Sequence, residues 1–363
     1  MNESDKKEYF PEEVSLRLSG RTLYREKTLY LLHAASYIDF EFEGHLLEAE
    51  LESEGGGEDY EAWVGIYIND MEQSYRRINL QKGNQRYLLW ENSSREKVHI
   101  RIVKMSENQY AYTAVNKFIM DVDALIQKTP EKERRIEFVG DSITCGFGNE
   151  GQPEDEFATG TENPLKAYGV LTAEKLDCDY TLVAWSGIGI LSSWVPPESE
   201  KPNTDKLIST RYPYVDYELF RKKGWTPMET YEYERDCCDA IVVNLGTNDA
   251  SYTRDHAERI QKFRTAYQEF LRYLRLTHAN IPIICTSGAM TQLLCNEIEE
   301  AVMTVRKTDR DEHIYYMKFS QSNSYLEDAD GAVGHPSIKK HEKMAEQLSN
   351  FMKENRILKK SDI

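Results

Sequence analysis

The residue whose setting most invites chemistry is Ser142, in the run Arg134-Arg135-Ile136-Glu137-Phe138-Val139-Gly140-Asp141-Ser142-Ile143-Thr144-Cys145-Gly146-Phe147-Gly148. A short strand rich in β-branched and aromatic residues stops at Gly140, a turn presents Ser142, and two further glycines hold the following loop open. A serine hydroxyl is a weak nucleophile until a base takes its proton and donors stabilise the oxyanion that forms. Partners must therefore appear further along the chain. Three later stretches fit: Ser186-Gly187-Ile188-Gly189, Asn244-Leu245-Gly246-Thr247-Asn248-Asp249 and Gly334-His335-Pro336-Ser337.

The elements that must position these residues follow from periodicity. Beyond a polar stretch at 128–135 with Pro130 inside a Lys/Glu run, which reads as a linker, strands are predicted at 136–139, 180–185, 240–245, 281–285 and 314–317. Helices are predicted between them. One begins at Asn163-Pro164-Leu165, with Asn as cap and Pro in the first turn, and ends near Leu176. A long one covers about 255–276, with Ile260, Phe263, Tyr267, Phe270, Leu271 and Leu274 on one stripe. A third crosses Leu294, Ile298, Ala301 and Val305, and a last runs from Ser337 to about 354. Alternating strands and helices imply a parallel sheet covered by helices on both faces. Ser142 then follows the first strand, Gly187 the second and Asn248 the third, while His335 lies in the loop after the last. All four fall at the carboxyl edge of one sheet, where open α/β sheets bind ligands.

The preceding segment has a different period. Runs such as Ile38-Asp39-Phe40-Glu41-Phe42-Glu43, with apolar residues on one side and carboxylates on the other, recur at 63–68, 87–90, 98–103 and 118–120. Turn residues at 54–58 and at Asn69-Asp70 separate them. An all-β sandwich of jelly-roll type over 1–128, followed by an α/β domain over 129–363, is the predicted architecture. Two domains also suit 363 residues, since single cores stop growing at roughly 250 to 300.

Composition narrows the function classes. A formal net charge of −17 opposes binding to phosphate backbones and anionic membranes, which depends on Lys and Arg clusters. No nucleic-acid partner is expected, and a neutral ligand is favoured. No apolar run approaches the roughly 18 residues that span a bilayer, and Met1 to Glu8 lack the apolar core of a signal peptide, so the expected location is cytoplasmic, away from membranes. Cysteines at 145, 178, 237, 238, 285 and 295 show no Cys-x-x-Cys spacing, which favours free thiols over bridges or zinc. The eight histidines are scattered, so neither metal nor cofactor is expected.

The four ordered motifs resemble those of the SGNH (GDSL-like) hydrolases. The wording Gly-Asp-Ser-Ile-Thr-Cys-Gly, Ala-Trp-Ser-Gly-Ile-Gly and Gly-His-Pro-Ser is similar to carbohydrate esterase family 2, whose members place a β-sandwich before the hydrolase domain and remove acetyl groups from sugars. The resemblance implies an esterase acting on acetylated xylo-, manno- or gluco-configured oligosaccharides, with Ser142 as nucleophile and His335 as base. It further implies an oxyanion hole from the Ser142 and Gly187 N–H groups and the Asn248 amide. Many SGNH hydrolases carry Asp three residues before the histidine, and this branch often two; here those positions are Ala332 and Val333. Asp330 and a main-chain carbonyl of the same loop both stand as acceptors for the far imidazole nitrogen.

Plainer readings accompany each residue. Cys145 is the rival nucleophile but has no evident base and reads as a loop or buried thiol; His341 reads as a surface or packing residue, and His33, His45 and His99 belong to the sandwich. Gly187 and Gly189 serve a tight turn equally well, Asn248 a loop cap, and Asp249 a structural role. The aromatic segment 192–234, with Trp194, Tyr212, Tyr214, Tyr217, Phe220, Trp225, Tyr231 and Tyr233, offers rings for a sugar-facing wall, Trp194 among them, or for packing. Rival functions are a lipid or thioester acyl hydrolase and a non-catalytic carbohydrate-binding protein.

Overall fold

A computed structural model describes residues 6–69, 73–233, 237–319 and 330–358. The described residues cluster in two compact units, one drawn from Met1–Glu131, Ala158–Glu162 and Val215–Pro227, the other from Lys132–Phe157, Asn163–Tyr214 and Met228–Ile363. Two short segments from beyond the linker thus join the first unit.

The first unit is built from ten strands in one antiparallel network: β1 (Lys6–Tyr9), β2 (Arg17–Ser19), β3 (Thr22–Arg25), β4 (Thr28–Leu31), β5 (Tyr37–Ser53), β6 (Ala62–Ile68), β7 (Arg76–Leu80), β8 (Gly83–Lys104), β9 (Thr113–Asp121) and β10 (Leu125–Lys128). Ile38, Phe40 and Phe42 enter the core as their alternation predicts. Asp39, on the other side of the strand, is not wet. It is buried because Arg101, His99 and Thr129 all hydrogen-bond its carboxylate, and these partners together hold it down to about pKa 2 against the opposing effect of burial. The strands expected at 87–90 and 98–103 are one element, β8. The intervening residues 91–97 contain no Gly or Pro, so the ladder to β5 continues, and register shifts at Gly44/Leu46 and Leu47/Glu48 absorb the bend. Asn69 has φ +60° at the turn expected after β6; Asp70 of that turn lies outside the described residues, as do the first five residues.

The second unit holds a parallel five-stranded sheet of β11 (Arg135–Gly140), β12 (Asp179–Ala184), β13 (Ala240–Asn244), β14 (Ile283–Ser287) and β15 (Ile314–Lys318), in the order β12-β11-β13-β14-β15. In register, Gly140 stands opposite both Ala184 and Asn244. The three adjacent strands therefore end level, and the loops carrying Ser142, Gly187 and Asn248 leave from one rim.

Among the described residues the helices are α1 (Ser142–Cys145), α2 (Tyr168–Lys175), α3 (Ile208–Arg211), α4 (Tyr217–Lys223, in the first unit), α5 (Thr247–Thr253), α6 (Ala257–Thr277), α7 (Cys295–Asp309) and α8 (Ile338–Glu354). Asn163 does cap, its side chain accepting from the Leu165 N–H at 3.2 Å. It caps a 3-10 turn rather than the long helix expected there, because Ala167 is extended (φ −82°, ψ 153°) and α2 starts only at Tyr168. Among the described residues no helix is long and apolar enough to cross a membrane.

The predicted stripe of α6 is real. Phe263, Tyr267, Phe270, Leu271 and Leu274 pack with Ile298, Ala301, Val302 and Val305 of α7 against Val139, Val183, Ile241, Val243, Ile283 and Cys285 of the sheet. Leu271 is fully buried whereas Leu276, five residues on, is 84% exposed. Leu271→Ala should therefore cost about 2–5 kcal/mol of stability and Leu276→Ala no more than about 0.5. Urea unfolding of the two variants beside the parent checks both values, and equal losses would contradict this packing.

Candidate active site

Ser142 is the first residue of α1, a single turn that begins where β11 ends. Asp141 caps it by accepting from the Ile143 N–H at 3.0 Å. Gly146, at φ +79°, closes it by donating its N–H to the Ser142 carbonyl. A Cβ on Gly140 would lie 2.0 Å from Thr144 Oγ1, so only glycine lets the strand turn this sharply into the helix. The Ser142 N–H, at the start of the turn, has no intrahelical acceptor.

His335 arrives from the opposite end of the sequence on a loop built to dock here. The Ala332 N–H donates to the Gly148 carbonyl at 2.9 Å, and the Gly331 N–H to the His335 carbonyl at 2.8 Å. A Cβ on Gly148 would meet the Ala332 Cβ at 2.8 Å, and one on Gly331 would meet the Gly148 carbonyl at 2.5 Å. Gly148 thus admits the histidine loop at close range, where the sequence suggested only an open turn.

Between these segments the imidazole Nε2 lies 2.9 Å from Ser142 Oγ. Its Nδ1 lies 3.2 Å from the Val333 carbonyl oxygen. A carbonyl can only accept, so Nδ1 carries the proton, Nε2 presents its lone pair, and the serine O–H donates. Val333 reaches this position in the left-handed region (φ +53°, ψ +36°), a strained conformation for a β-branched residue. Asp330 is not at the ring nitrogen: its carboxylate accepts from Lys340 Nζ of α8. Burial pushes the imidazole down from 6.5 to about 4, against the Val333 and Ala332 carbonyls, which favour its charged form. It is therefore neutral at neutral pH, the state a general base requires.

Asn248 sits in the first turn of α5, buried, with Nδ2 2.8 Å from the Ile188 carbonyl and 3.4 Å from Asp141 Oδ2. The first contact uses one N–H and aims the amide; the longer one holds the other only weakly. Gly187 has φ +82° with open space where a Cβ would stand. Its carbonyl accepts from the Trp194 N–H at 3.0 Å, which seats Trp194, 56% exposed, beside this turn.

Asp249 holds the turn together. Its buried carboxylate accepts from the backbone N–H groups of Ile190 (3.1 Å), Leu191 (2.7 Å) and Ser192 (2.9 Å). Burial pushes it up to about 6 while those donors pull it down. A Cβ on Gly189 would fall 1.8 Å from the Ser192 carbonyl oxygen, so this glycine is needed for close approach.

The other predicted residues are elsewhere. Cys145 is buried in α1 and forms no disulfide. His341 is buried in α8, where Nδ1 accepts from the Tyr168 N–H at 3.1 Å, which settles its packing role. Tyr212 is buried, its hydroxyl donating to Glu137 at 2.5 Å. Tyr217, Phe220 and Trp225 belong to the first unit. Sequence reasoning passed over Phe147 and Phe157, which stack at 3.6 Å with Phe147 lying 4.3 Å from the His335 ring. The available signal was Phe157, a lone aromatic directly after the polar run 152–156.

Residues 136–348 match the GDSL-like lipase/acylhydrolase family, and residues 18–130 the carbohydrate esterase 2 N-terminal domain. Cellulase/esterase CelE of Acetivibrio thermocellus is 34% identical over 61% of this chain, which spans 25% of that protein's length. An acetylxylan esterase / glucomannan deacetylase of Cellvibrio japonicus is 24% identical, with 84% of this chain and 79% of that one covered. Among solved structures, an acetyl xylan esterase from Butyrivibrio proteoclasticus matches with TM-score 0.84 at 22% identity, covering 96% of this chain and 99% of that one. A family two carbohydrate esterase from Clostridium thermocellum in complex with cellohexaose matches with TM-score 0.80 at 25% identity, covering 94% and 99%. With the Ser142–His335 pair at the head of its parallel sheet, the chain belongs to the GDSL-like lipase/acylhydrolase family and carries the carbohydrate esterase 2 N-terminal domain ahead of the hydrolase domain.

Proposed function

We propose that this protein is a carbohydrate O-acetyl esterase working through a Ser142–His335 dyad. The observation that carries the reading is the imidazole held between Ser142 Oγ at 2.9 Å and the Val333 carbonyl at 3.2 Å. Ser142 attacks the acetyl carbonyl while Nε2 takes its proton. The Ser142 and Gly187 N–H groups and the second Asn248 N–H receive the oxyanion. His335 returns the proton to the departing sugar oxygen, then activates the water that releases acetate. Val333 stands where the carboxylate of a triad is usual, and its carbonyl fixes the tautomer.

The substrate class rests on relatives named as acetylxylan esterases and glucomannan deacetylases and on the family two esterase solved with cellohexaose. Trp194, exposed beside Gly187, supplies the flat face that a sugar ring packs on. The same reading takes the first unit as a jelly roll, supported by β5 pairing β2 and β10 along its first half and β9 along its second. It takes the parallel sheet as covered on both faces, supported by Gly169 of α2 meeting Phe138 and Leu182, residues outside the core shared with α6 and α7.

Ser142→Ala should stay folded and lose on the order of 10⁶ in turnover, measured as acetate released from acetylated xylo-, manno- and cello-oligosaccharides followed by proton NMR. A variant keeping a tenth of parental activity would remove Ser142 from the mechanism, and a parent preferring octanoyl to acetyl p-nitrophenyl esters would move the substrate class to lipids. Asp330→Asn should lower kcat by less than about tenfold, because Asp330 binds Lys340 rather than the imidazole. A loss near the 10⁴ seen when a protease triad Asp is neutralised would make Asp330 the third catalytic member.

A further inference from the structure

Among the described residues the His335 ring has two hydrogen-bond partners, the Val333 carbonyl and Ser142 Oγ, neither of them a carboxylate, so packing must help to stop the ring from turning about its own side-chain bonds. Its face is covered from one direction by Phe147, with ring centroids 4.3 Å apart and planes inclined by 36°. Phe147 is itself backed by Phe157, stacked at 3.6 Å and 8°, and Phe157 is only 9% exposed. Three aromatic planes thus stand in file, with the buried one outermost from the imidazole.

The backbone places them there for separable reasons. Phe147 follows Gly146, whose left-handed turn ends α1, and precedes Gly148, whose carbonyl receives the histidine loop. The residue facing the imidazole is therefore fixed at both ends by the two segments that carry the dyad.

We propose that Phe147, seated on Phe157, is a positioning residue for His335: it holds the imidazole plane for transfer between Ser142 Oγ and Nε2 and keeps water off the ring face. This rests on the dyad reading above. The stack supplies restraint by packing where a triad supplies it by charge. Asp330 on its own loop is tied to Lys340, His341 is buried in α8, and Asp141, the residue after β11, accepts from the Ile143 N–H. On the Phe147 side, Glu154, Asp155 and Glu156 precede Phe157 in sequence.

The test compares Phe147→Ala, Phe147→Tyr and Phe157→Leu with the parent, reading the His335 ring by nitrogen-resolved NMR of the imidazole alongside the acid limb of p-nitrophenyl acetate hydrolysis. In the parent the ring should titrate near 4 as the Nδ1–H tautomer. In Phe147→Ala it should rehydrate, titrate at least one pH unit higher toward the ordinary 6.5 and populate both tautomers. Its kcat should fall about tenfold or more with little change in KM. Phe147→Tyr should restore the parental ring signals and rate, and Phe157→Leu should lie between. An unchanged titration and tautomer in a folded Phe147→Ala would overturn the proposal, as would an unchanged rate. The NMR readout does not need turnover, so a parent that failed to hydrolyse any ester would defeat the functional reading while the ring response still decided this one.

Discussion

The hydrogen bond between Ser142 Oγ and His335 Nε2 joins residues 193 positions apart, and most of what is distinctive in the second unit exists to close it. A contact so distant in sequence costs loop-closure entropy that only a rigid frame recovers. The frame is the parallel sheet, whose central strand β11 ends level with β12 and β13. Ser142 is held by the Asp141 cap and the Gly140 turn. His335 is held by a loop pinned through its backbone to Gly148, a position where no side chain fits.

Around that bond, polar groups are arranged so that each has one assigned duty. The Val333 carbonyl fixes the protonated nitrogen, the Ile188 carbonyl aims Asn248, and Asp249 gathers three backbone N–H groups to shape the turn after β12. Neutrality of the imidazole comes from burial and needs no nearby cation. In the proposed dyad a strained backbone turn at Val333 stands in for the carboxylate of a triad, and strain of that kind persists only where the surroundings over-determine it.

The parts of this arrangement that show in the sequence are those fixed by local pattern. Strand periodicity gave the five parallel strands, and the order of the four motifs along them brought Ser142, Gly187, Asn248 and His335 to the same sheet edge. What did not show depends on tertiary contact. The lack of Gly and Pro in 91–97 permits one strand over 87–103, but no residue there marks the register shifts that bend it. Asp39 reads as wet until Arg101 and His99 are seen to cover it. Asp330, at an unusual spacing, and a main-chain carbonyl, the favoured acceptor, were both open to the imidazole until the left-handed turn at Val333 brought its carbonyl to Nδ1. Phe147 lay inside the motif itself, yet its contact with His335 depends on a loop nearly two hundred residues away.

The most direct measurement is the identity of the residue that carries the acyl group during turnover. Quenching the enzyme with acid in the first turnovers on p-nitrophenyl acetate, followed by peptide mapping by mass spectrometry, should find one acetyl group, on Ser142. Acetyl on Cys145, or turnover with no acyl-enzyme trapped at any time point, would contradict the dyad.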